Sequence, residues 1–121
     1  MVFKEGKYIG KVEPGEGIAF RDYDIPTANL TFEEDVELET GVYAAMTTCM
    51  GKEYESILCY GVGEPAKFEV HLFDFDENIY GEKLEVGIIK KVSELIPWQS
   101  KERMRQKIIH DIGLVKDIFK K

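Results

Sequence analysis

Two groups of polar side chains have the types and spacing to do chemistry. The first lies in Ile25-Pro26-Thr27-Ala28-Asn29-Leu30-Thr31-Phe32. Pro26 fixes its own φ and drives Ile25 toward an extended conformation, so the backbone here is stiff. On an extended segment Thr27 and Asn29 face one side, with the small Ala28 between them, and offer a hydroxyl and an amide. Neutral oxygen ligands on a stiff loop suit a magnesium ion that already carries phosphate oxygens. They equally suit an ordinary turn in which Thr27 and Asn29 bond their own backbone.

The second group lies in Lys67-Phe68-Glu69-Val70-His71-Leu72-Phe73-Asp74-Phe75. Alternation puts Phe68, Val70 and Leu72 on one face of a strand, and Glu69, His71, Phe73 and Phe75 on the other. A carboxylate held among aromatic rings is partly desolvated, which raises its proton affinity and suits it to general-base work. A solvated outer face on which Glu69 and His71 have no role fits the same pattern.

Other constellations carry less. Gly15-Glu16-Gly17 could begin a phosphate-cradling turn, but Glu16 would repel phosphate, and no GxxxxGKS or GxxxxGKT sequence occurs. The run from Asp74 to Glu85 superficially resembles a calcium loop, yet Ile79 stands where the sharp turn needs glycine. His71 and His110 lie far apart without ligand-like neighbours, so no structural zinc is expected.

The elements that must position these groups are short strands followed by one helix. Strand-like runs cover Tyr8 to Glu13, Gly41 to Cys49, Tyr54 to Val62, Lys67 to Phe75 and Lys83 to Val92. Gly51-Lys52 and Asp76-Glu77-Asn78 read as turns, and hairpin connections of this kind indicate an antiparallel barrel. From Ser100 the period changes: Met104, Ile108, Ile112, Val115 and Phe119 form the apolar stripe of a helix capped by Ser100, with Glu102 in its first turn. Gly113 weakens that helix and marks a bend or an end.

At 121 residues and 44% hydrophobic content, the chain is expected to form a single domain, residues 1–121. No apolar run is long enough to span a membrane, and Met1 to Gly10 has no signal-peptide pattern, so a cytoplasmic monomer is expected. A net charge of −7 argues against nucleic acid as a partner. A hairpin turning at Gly51-Lys52 sets Cys49 opposite Tyr54 and Cys59 opposite Ala44, which predicts two reduced core thiols.

The sequence resembles the riboflavin kinase family, including the kinase module of bifunctional FAD synthetases. Pro26-Thr27-Ala28-Asn29-Leu30 is similar to that family's PTAN signature, and Glu69 to Phe75 followed by Ile79-Tyr80-Gly81 is similar to its EVHLLDF and LYG segment. Gly41-Val42-Tyr43-Ala44 and the C-terminal helix agree in order, so the likeness spans most of the chain. The resemblance implies a six-stranded antiparallel Greek-key β-barrel with a C-terminal α-helix. It implies transfer of the γ-phosphoryl group of ATP-Mg to the 5′-hydroxyl of riboflavin, giving FMN and ADP. Thr27 and Asn29 would hold Mg²⁺ and the nucleotide phosphates, and Glu69 would take the proton of the attacking hydroxyl.

The departures from the family fall in two loops. The phosphate loop before Pro26 is acidic here: it contains Gly15, Gly17 and Arg21, all expected at the nucleotide, but Asp24 replaces a glycine. The segment Tyr60 to Ala66 is shorter than in the family. Trp98 and Met104 on the following helix are expected to border the flavin, although Trp98 also suits packing over the barrel end. No adenylyltransferase segment precedes the barrel in this sequence, so FAD synthesis is not expected. A barrel that binds flavin or nucleotide without turnover is the alternative.

Overall fold

Alternating apolar residues on antiparallel strands give a sheet with one face to bury, and here the sheet buries it by closing on itself. The computed structural model describes residues 3–4, 6–13, 27–32, 36–63, 65–75 and 79–120. The strands are β1 (Phe3–Lys4), β2 (Lys7–Glu13), β3 (Ala28–Thr31), β4 (Gly41–Cys49), β5 (Lys52–Tyr60), β6 (Phe68–Leu72) and β7 (Lys83–Ser93), followed by helix α1 (Lys101–Phe119). Six of them run in the order β2-β3-β6-β5-β4-β7, and β7 pairs back onto β2 to close the barrel; the short β1 pairs with β2 alone. Every pairing is antiparallel.

The wall separates two apolar clusters. Inside lie Tyr8, Val12, Leu30, Tyr43, Leu58, Phe68, Val70, Leu72, Leu84 and Val86 among others. Outside, Val42, Ala44, Ile57, Cys59 and Phe73 meet Ile108 and Val115 of α1. This double cover explains why β4 is buried without a break from Gly41 to Ala45.

The five strands expected from periodicity are present, with β5 ending at Tyr60 and β6 at Leu72, earlier than their sequence patterns run. β3 completes the six; its four residues are too few to show a period, and it carries the Ala28-Asn29 block.

The β4–β5 register differs from the sequence expectation by two residues. The turn is Met50-Gly51, both at positive φ (50° and 82°), so Cys49 faces Lys52 and Cys59 faces Val42. A two-residue hairpin of this kind needs positive φ at both central positions, and Met50 accepts it so that Gly51 can close the turn. Cys49 lies inside the wall and Cys59 outside, and the two form no disulfide. Burial, and after it the charge of Glu69, pushes the Cys59 thiol up to about 12. Neither thiol should therefore react with an alkylating reagent at pH 8 until denaturant is added; labelling of the folded protein, read by mass spectrometry, would mean the wall opens.

Gly61 fixes the turn that delivers β6. Its φ is +119°, and a Cβ there would lie 2.6 Å from Thr40 Cγ2 and 2.7 Å from Thr40 Cβ. Its N–H donates to Lys67 O at 3.0 Å, and Lys67 N–H donates to Val62 O at 2.9 Å. Gly61→Ala should cost about 2 kcal/mol in chemical denaturation, from strained φ plus the Thr40 clash.

α1 is capped as expected: Ser100 Oγ accepts from Arg103 N at 3.1 Å, with Glu102 in the first turn. Two features differ. Gly113 does not end the helix, which runs through it to Phe119; it is exposed, and its cost is one of propensity. The buried face also includes a charge, Asp111, between Ile108 and Val115.

Candidate active site

The strand pairings bring Asn29 and Glu69 together. Asn29 on β3 is the direct cross-strand partner of Glu69 on β6, and Glu69 is in turn the partner of Cys59 on β5. Directly paired residues point to the same face with Cα atoms about 4.5–5.5 Å apart. Here that is the barrel's outer face, because Ala28, Leu30, Phe68, Val70 and Leu72 fill the interior.

Glu69 is 0% exposed, so the solvated-face reading of β6 fails. The outer surface at this point is covered rather than open. His71, two residues on, is half-buried against Phe73, with ring centroids 5.5 Å apart, and Lys116 Nζ of α1 sits 5.1 Å from the Phe73 centroid. The ammonium over that ring face is a favourable cation–π placement that ties α1 to the turn after β6.

Thr27, half-buried, immediately precedes β3, and burial alternates through Ala28, Asn29, Leu30 and Thr31 as on an extended chain. Thr27 and Asn29 thus match the shared-face expectation. The expected residues Gly15, Gly17 and Arg21, together with Pro26 and the Asp76-Glu77-Asn78 turn, lie outside the described residues. Met104 is half-buried on α1. Trp98 is 72% exposed and does not cover the barrel end; Leu95 of the same connection takes the apolar contact instead.

Sequence reasoning missed four contributors. Glu13 on β2 pairs with Asn29 from the other side, so Glu13, Asn29, Glu69, Cys59 and Val42 form one row across five strands. Nothing in the sequence signals Glu13 or Cys59, since both depend on register. Asp111 and Lys107 were legible in principle: Asp111 falls on the apolar stripe of α1, and Lys107 is its partner one turn earlier.

The hydroxyl of Thr27 and the amide of Asn29 are hard neutral oxygen donors, which fits Mg²⁺ shared with phosphate oxygens. Among the described residues no three His, Cys, Asp or Glu side chains cluster as a self-sufficient metal cage. A metal here would depend on its phosphate ligand for much of its coordination.

The sequence matches the family described as Flavokinase: Riboflavin kinase over residues 4–119. A Bifunctional riboflavin kinase/FMN adenylyltransferase of Buchnera aphidicola subsp. Schizaphis graminum is 35% identical over 91% of this chain. The chain spans only 38% of that protein's length. A Streptococcus pneumoniae structure named Macrolide-efflux Protein superposes with TM-score 0.80 at 25% identity, over 91% of this chain and 38% of that one. Among the described residues, no helix is long and apolar enough to cross a membrane. The riboflavin kinase of Trypanosoma brucei superposes with TM-score 0.73 at 17% identity, over 93% and 76% of the two chains, a likeness of fold.

Proposed function

The chain belongs to the riboflavin kinase family, and from that premise we propose that it transfers the γ-phosphoryl group of ATP to the 5′-hydroxyl of riboflavin, giving FMN and ADP. The observation that carries this reading is the Asn29–Glu69 pair: a neutral oxygen ligand and an enclosed carboxylate placed side by side on the outer face. Phosphoryl transfer asks a protein mainly for positioning and charge neutralisation, together with a group that orients the nucleophile.

In this reading Glu69 accepts the proton of the attacking hydroxyl. Its position in a rigid ladder, between Asn29 and Cys59, keeps the acceptor oxygen beside the nucleotide phosphates. Thr27 and Asn29 hold Mg²⁺, which when bound neutralises phosphate charge. Gly15, Gly17 and Arg21 are assigned to the nucleotide phosphates, and Met104 and Trp98 to the flavin's border. A largely exposed indole ahead of α1 is available to stack on a planar ring. The net charge of −7 favours small-molecule partners over nucleic acid, and we assign a monomer acting in the cytoplasm.

The test is chromatographic detection of FMN after mixing the protein with riboflavin, Mg²⁺ and either ATP or CTP. FMN formed with one nucleotide supports the kinase and names its donor. Riboflavin bound without FMN would support a binding barrel whose acidic loop, with Asp24 in place of glycine, no longer serves the phosphates.

A further inference from the structure

The charges buried beneath α1 have no part in the chemistry above. Asp111 is 3% exposed, and the other buried residues of α1, Ile108 and Val115, are apolar. Asp111 Oδ2 is bonded to Lys107 Nζ, and the same Nζ donates to Ser93 Oγ of β7 at 2.9 Å. The Lys107 side chain is itself only 14% exposed. Asp111 Oδ1 is enclosed and has no hydrogen-bond partner.

As a source of stability this arrangement is poor. Removing both charges from water is costly, the unpartnered oxygen adds to that cost, and an apolar pair of similar volume does as well or better. What an ion pair supplies and an apolar stripe does not is direction. Ile108 and Val115 would tolerate a small rotation or slide of α1, because burial of apolar area is non-directional. Nζ reaches Ser93 Oγ and Asp111 Oδ2 together only within a narrow range of helix rotation and register.

Strand register shows where that constraint acts. Ser93 pairs with Val42, Val42 with Cys59, Cys59 with Glu69 and Glu69 with Asn29. Lys107 therefore fastens α1 to one end of the row that carries, three and four strands on, the candidate base and the candidate magnesium-binding amide. Three strand spacings separate Ser93 from Glu69, on the order of 14 Å. Cys59, in the middle of the row, feels the charges of Glu69, Lys107 and Asp111.

We propose that Lys107 and Asp111 are positioning residues: tied to Ser93, the buried pair fixes the rotation and register of α1 on the barrel, and with them the wall that α1 presents to the acceptor beside Glu69. This rests on the kinase reading, in which riboflavin is that acceptor. Lys107 and Asp111 touch no reacting atom; they act through the helix that carries Met104 and Lys116.

The test replaces the whole pair at once. Lys107→Met with Asp111→Leu leaves no unpaired charge, so the melting temperature should stay the same or rise. Riboflavin affinity, read by quenching of flavin fluorescence, should nonetheless weaken roughly tenfold, because a wall displaced by a fraction of an ångström no longer matches its ligand. The KM for MgATP should be unchanged, and kcat should fall less than the KM for riboflavin rises. Ser93→Ala, which cuts only the tie to β7, should raise the riboflavin Kd about threefold, a fraction of what a hydrogen bond from an ammonium contributes. Ser93→Thr, which keeps the hydroxyl, should restore it. Wild-type riboflavin affinity in the double variant would overturn the proposal. So would riboflavin and MgATP affinities that fall together with the melting temperature, since that pattern reports general loss of structure. A wild-type protein that binds no riboflavin would remove the kinase reading and this inference with it, whereas normal binding by both proteins removes this inference alone.

Discussion

Glu69→Gln lowers the rate of FMN formation by about two orders of magnitude or more while riboflavin affinity stays within about threefold. The substitution is nearly isosteric, so the enclosed site keeps its shape, and what it removes is the ability to take up a proton. Glu69 has no exposure to water, so bulk solvent offers no replacement acceptor at that position. The measurement is single-turnover FMN formation beside equilibrium flavin binding, with a melting curve for each protein. An unchanged rate would sink Glu69 as the base; a parallel loss of binding and melting temperature would instead make it a structural carboxylate.

Asn29→Ala weakens Mg-nucleotide binding by roughly 100-fold, at the upper end of what changes in a metal's surroundings cost, and leaves riboflavin binding nearly intact. The asymmetry follows from the division of labour proposed along the row. Asn29 supplies a neutral oxygen to the metal, and the amide it loses is half-buried on the outer face, not packed in the barrel interior. β3 should survive, because Ala28 and Leu30 on its other face fill the interior and are untouched. Calorimetric titration with MgADP and with riboflavin, run separately, distinguishes the cases. Equal weakening of both ligands would place Asn29 in the fold and not in the clamp.

Much of the barrel was legible because its longer strands are long enough to display a period of two. Tyr8 to Glu13, Gly41 to Cys49 and Lys83 to Val92 alternate or run apolar over six or more residues in β2, β4 and β7, and the structure follows them. The C-terminal helix was equally clear: a cap at Ser100 and an apolar stripe at helical spacing need no tertiary information. β3 was not readable as a strand, since four residues carry little periodicity and its neighbours come from β2 and β6, distant in the chain.

The candidate site divides along the same line. Residue types and local spacing offered Thr27, Asn29 and Glu69 as candidates beside plainer readings, because side-chain chemistry and alternation are properties of a few consecutive residues, and the family resemblance gave them their expected roles. Only the tertiary structure decided that Asn29 and Glu69 are neighbours, that Glu69 is enclosed, that Trp98 stands in solvent, and that Lys107 reaches Ser93 above the same row. Those facts depend on which strand pairs with which, and in what register. Register is set by the summed burial of the whole barrel and by turns such as Met50-Gly51, where a shift of two residues keeps every side chain on its proper face and so leaves no trace in the local pattern.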